Sequence, residues 1–166
     1  MKILIVVVSL LGLALFPQRE GWCEPLPPST TLSIHLSGEK TTRVEIRTME
    51  TPPGFPYAHS FQWGGDESRP PHTIITSIAV FEGDAKEPVP MAVPLSAYAD
   101  LGTPNRATLV PLGSDGFLLK IDGGDASSGY HATLRFKDNH LIHRSVKLGE
   151  FPDVLHEDTR YTLNPI

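Results

Sequence analysis

The stretch Tyr130–Leu148, YHATLRFKDNHLIHRSVKL, alternates apolar and polar side chains on both sides of a short polar break. Alternation with period two marks a strand with one buried face, and two such runs joined by a short polar loop read as an antiparallel hairpin. A three-residue loop, Asp138-Asn139-His140, pairs Lys137 with Leu141. It also sets Phe136 opposite Ile142, Leu134 opposite Arg144, Ala132 opposite Val146 and Tyr130 opposite Leu148. One face is then apolar except for Arg144. A two-residue loop would instead turn Lys147 and His143 in among Tyr130, Leu134 and Phe136, because a slip of one residue moves every side chain of a strand to its other face. The inward guanidinium calls for a carboxylate. Glu150 and Asp153, in GEFPD just past the strand, are the local candidates for a buried ion pair. The alternative is a position near the rim, from which the Arg144 stem reaches water.

The same alternation recurs outward from this hairpin. In Thr31–Ser37, TLSIHLS, Leu32, Ile34 and Leu36 point one way, and in Thr41–Thr48, TTRVEIRT, Val44 and Ile46 do so between charged neighbours. With Gly38-Glu39-Lys40 between them, the two runs form a second hairpin. Further strands are expected at 58–63, 73–81, 90–93, 107–112, 117–122 and 159–163, separated by Gly, Pro, Asp or Asn. Only PLSAYADLG, residues 94–102, has helical spacing, with Leu95, Tyr98 and Ala99 on one face and Gly102 placed to close a last turn. Many short strands with at most one short helix near 94–102 predict an all-β fold, an antiparallel β-sandwich or partly open barrel of about eight or nine strands. The 16 prolines agree, since proline interrupts ladders and belongs in loops and edges.

The N-terminus reads as a secretory leader: Lys2, then an apolar run from Ile3 to Phe16 closed by Pro17. That run is shorter than the roughly 20 residues of helix needed to cross a hydrocarbon core, so no stable span is expected after cleavage. Small residues Gly21 and Cys23 favour cleavage after Cys23, with cleavage after Ala14 as the alternative. Trp22 and Glu20 stand where a lipid-attachment site carries small and aliphatic residues, so Cys23 is read as leaving with the leader. The expected organisation is a signal peptide at 1–23, a flexible lead-in at 24–30 and one β domain at 31–166. The mature chain then has no cysteine, hence no disulfide and no thiolate chemistry. An exported chain with neither disulfides nor glycosylation acceptors fits a bacterial envelope, secreted or periplasmic.

Without the first 23 residues, twelve basic and eighteen acidic side chains remain, a net charge of −6 with histidine neutral. That balance argues against nucleic acid, whose binding rests on Lys and Arg neutralising phosphates. It equally disfavours an anionic membrane surface.

Two stretches share a skeleton: GGDESRPPH, Gly64–His72, and GGDASSGYH, Gly123–His131. As turns, they use glycine for positive φ and Asp and Ser as acceptors for backbone N–H groups. As a site, Asp66, His72, Asp125 and His131 would surround a cation or a sugar hydroxyl. The first four letters of GGDES resemble the acidic turn of diguanylate cyclases, but that turn belongs to a larger cytosolic α/β domain. No serine-hydrolase elbow, zincin signature or EF-hand spacing is present. The segment 54–65 places Tyr57, Phe61 and Trp63 on one alternation parity, a face that is either core or a stacking platform for a sugar. These readings predict a binding, structural or interaction module without catalysis and without a cofactor, its ligand a protein or a carbohydrate. A hydrolase built on the GGD loops and a carbohydrate-binding module using residues 55–63 are the alternatives.

Overall fold

The computed structural model describes residues 24–36, 41–55, 63–64, 70–124 and 128–162; the leader read at 1–23 lies outside them. Two antiparallel sheets face each other in a β-sandwich. One is a three-stranded meander of β1 (Ser29–His35), β2 (Thr41–Glu50) and β3 (Thr73–Glu82). The other is a five-stranded meander of β4 (Pro104–Leu112), β5 (Gly116–Gly123), β6 (Tyr130–Lys137), β7 (His140–Leu148) and β8 (Leu155–Arg160). Each inner face is the apolar half of an alternating run: Ile34, Val44, Ile46, Ile78 and Val80 meet Phe117, Leu119, Ile121, Leu134, Phe136 and Val146, all buried. Phe117 and Phe136 stack with centroids 4.5 Å apart. Burying each such side chain stabilises the fold by about 1.5–3 kcal/mol before entropy is counted.

The β6–β7 hairpin keeps the expected pairs Tyr130–Leu148, Ala132–Val146 and Leu134–Arg144 but reaches them differently. Its loop has two residues, Asp138 and Asn139, both with positive φ (48° and 61°), the backbone of a tight hairpin turn whose twist matches the strands. Lys137 therefore pairs with His140 and Phe136 with Leu141, not with Leu141 and Ile142. A one-residue shift after Arg135 leaves Ile142 unpaired and restores the register. This bulge lets a two-residue turn coexist with an apolar inner face, because the extra residue absorbs the slip. Asn139 is fixed from the other sheet: its side chain accepts from Thr42 Oγ1 at 2.9 Å and donates to Glu82 at 2.8 Å.

Other expectations shift in detail. Residues 90–93 are turns, the last strand is Leu155–Arg160 instead of 159–163, and of 58–63 only Trp63 is described, in a single bridge with Leu101. The helical segment is one 3₁₀ turn, Leu95–Ala97, and Gly102 bridges Ile74 instead of capping it; nine residues are too few to sustain an α-helix unaided. Within the stretch read as a flexible lead-in, the Leu26 N–H donates to Pro104 O at 2.7 Å, and Thr48 donates to Pro28 O. The 85–102 segment covers the part of the five-stranded sheet near β7: the Leu141 N–H donates to Ala92 O, and Ala97, Tyr98 and Leu101 are buried. Among the described residues no helix is long and apolar enough to cross a membrane.

Candidate functional site

The two GGD stretches meet at one end of the sandwich. A Cβ on Gly64 would stand 3.2 Å from the Tyr130 ring, and one on Gly123 would stand 2.4 Å from the Tyr130 hydroxyl, so the leading glycine of each stretch flanks the same tyrosine. Thr103, at φ 46°, ties them together: its hydroxyl donates to Gly64 O and accepts from the His72 N–H, and its carbonyl accepts from the Gly124 N–H. The histidines part from there. His72 lies exposed before β3, whereas His131 points outward from β6 and binds Asp122 at 2.7 Å. Asp66 and Asp125 lie outside the described residues. Among the described residues no group of three His, Cys, Asp or Glu side chains is placed to hold a metal ion.

Trp63 is core, 4% exposed, with its ring 6.3 Å from Tyr130 and edge-on to His156; Tyr57 and Phe61 lie outside the described residues. Beside it, Arg144 is 2% exposed. Its guanidinium binds Asp100 at 2.6 Å and also Glu157, which accepts from Trp63 Nε1 as well. Neither carboxylate is the sequence-local candidate: Glu150 and Asp153 are exposed in the β7–β8 connection. Glu157 was missed because β8 was placed four residues too late, and Asp100 because it is 44 residues from Arg144. Burial raises the Asp100 carboxyl above the ordinary range, against the pull of Arg144. Burial also raises the Tyr130 hydroxyl, so it stays protonated, and the charges of Asp100 and Asp122 add to this.

The outer face of the five-stranded sheet is of another kind. By the register, Arg106, Asp122, His131 and Lys147 form one cross-strand row. Thr108, Lys120, Thr133, Ser145 and Asp158 form the next, and Val110, Leu118, Arg135, His143 and Arg160 a third, with Lys137 beyond. Among the described residues six Lys and Arg side chains stand here, against two Asp and Glu. Both acids are engaged with imidazoles, Asp122 with His131 and Asp158 with His143 at 2.9 Å. Among the described residues none of the six cations is in an ion pair. They span five strands, about 19 Å at a spacing near 4.8 Å. Net charge hid this face because it sums over a chain whose acids lie elsewhere: Glu82 ends β3, and Asp84, Glu87, Asp115 and Asp138 lie in the turns and loops between strands.

No protein-family model, no curated protein and no solved structure matches this chain.

Proposed function

We propose that this chain is an exported, non-catalytic β-sandwich that binds an acidic partner on the outer face of its five-stranded sheet. The observation behind this reading is the segregation of charge: six cations on one sheet face of an acidic protein, none of them in an ion pair among the described residues. The nearest of these cations, Arg106 with Lys120 and Lys120 with Arg135, are diagonal neighbours on adjacent strands, about 7–8 Å apart. That is about one Debye length at physiological salt, so an approaching anion feels several at once. Binding also suits the disposition of the histidines, since His131 is held by Asp122 on the sheet face and does not share a site with His72.

The test is retention on an immobilised polyanion. The wild type should be held on a sulfated polysaccharide resin at 50 mM salt and released by about 0.5 M, while the triple variant Arg106→Glu, Lys120→Glu, Arg135→Glu should flow through. Equal elution of wild type and a folded triple variant would overturn the reading.

A further inference from the structure

Within the basic face, β4, β5 and β6 carry an open depression of about 360 Å³, within the volume range of small-ligand sites. Two rows line it: Arg106, Asp122 and His131 in one, Thr108, Lys120 and Thr133 in the other. Resting on the acidic-partner reading, we infer that this hollow is a subsite for a sugar acid and that the partner is a polyuronate, a polysaccharide with carboxylates on its rings.

The side chains in the hollow select for this chemistry. Arg106 and Lys120 are diagonal neighbours on β4 and β5, placed to take one carboxylate between a guanidinium and an ammonium. The Thr108 and Thr133 hydroxyls flank Lys120 and both donate and accept, as ring hydroxyls require. Asp122 bonds His131 through Oδ1, and its carboxylate can accept from a sugar hydroxyl while repelling a second anion. A uronate chain also carries one anion per repeat, but each ring sets free hydroxyls beside its carboxylate for Asp122 to accept from, and a DNA backbone offers none. Among the described residues this face carries no Phe, Tyr or Trp, so whatever binds is held through charge and hydroxyls and not by stacking. Nor has it the buried aromatic anchor that centres a protein interface.

Calorimetric titration with four probes tests this: an oligogalacturonate, its methyl ester, polyglutamate and duplex DNA. The oligogalacturonate should bind at least tenfold tighter than each of the others at 50 mM salt. In Thr108→Val with Thr133→Val, strand formers that remove only the hydroxyls, oligogalacturonate affinity should fall about tenfold while polyglutamate changes less than twofold. If polyglutamate or DNA binds as tightly as oligogalacturonate, or the double variant weakens both acidic polymers alike, the sugar-acid assignment fails and the acidic-partner reading stands. If neither these probes nor the sulfated resin retains the protein, both fail.

Discussion

The two faces of the five-stranded sheet handle positive charge in opposite ways. On the inner face Arg144 is buried and answered by two carboxylates, Asp100 from the 85–102 segment and Glu157 from β8. On the outer face six cations are in no ion pair among the described residues, and the two acids among them are occupied by histidines. The difference is one of solvation. A guanidinium withdrawn from water must be compensated by the fold itself, several kcal/mol being at stake. An exposed ammonium is solvated at little cost, and a surface pair is worth about 0–1 kcal/mol. Inner charge is thus a structural demand, and outer charge is not.

The largest effect should come from the inner face. Phe136→Ala removes a fully buried ring stacked on Phe117 and should cost about 3–5 kcal/mol in urea unfolding. Its strand neighbour Lys137, on the outer face, should cost under about 0.5 on replacement by Ala. Similar losses at the two positions would erase the distinction between the faces.

Arg144→Ala ranks second. It leaves two carboxylates turned toward a buried gap, and a loss of roughly 2–3 kcal/mol is expected. This lies below the roughly 3–5 of a wholly buried pair because Asp100 and Glu157 keep 28% and 32% of their side-chain surface in water. A loss no greater than that of Lys137→Ala would move Arg144 from the interior to the rim and blur the comparison.

The smallest effect is a pH dependence. Because burial raises the Asp100 carboxyl, the folded chain retains a proton that the unfolded chain, titrating near 3.9, releases. The folded state therefore binds more protons in the window just above that value. The contribution of this proton is complete below pH 3.9 and is lost as pH rises through the folded-state value. Melting temperature followed from pH 4 to 7 should show this decline in the wild type and lack it in Asp100→Asn. A variant with the same profile as the wild type would assign the decline to other groups.

The hairpin shows how far local reasoning reaches. Its faces and pairs from Tyr130 to Leu134 were legible because apolar alternation and register are properties of adjacent residues, whereas near the turn Leu141, not Ile142, faces inward. The bulge at Ile142 was not legible, because a two-residue Asp-Asn turn lacks the Asn-Gly signal of the tightest hairpins and is held by Thr42 and Glu82 from the other sheet. The aromatic parity of Trp63 was visible, and its burial against Tyr130 follows from where the chain later runs.

By itself the sequence determined that this is an all-β chain, where β1 to β7 run, and that Arg144 faces inward. These follow from period-two alternation, which each strand displays within its own few residues. Only the tertiary structure decided which carboxylates answer Arg144, that both GGD stretches begin against Tyr130 and Thr103, and that the cations of five strands share one surface. Those facts depend on the order of strands and on contacts spanning tens of residues. A composition or a net charge is a sum without direction, and folding assigns each charge a face.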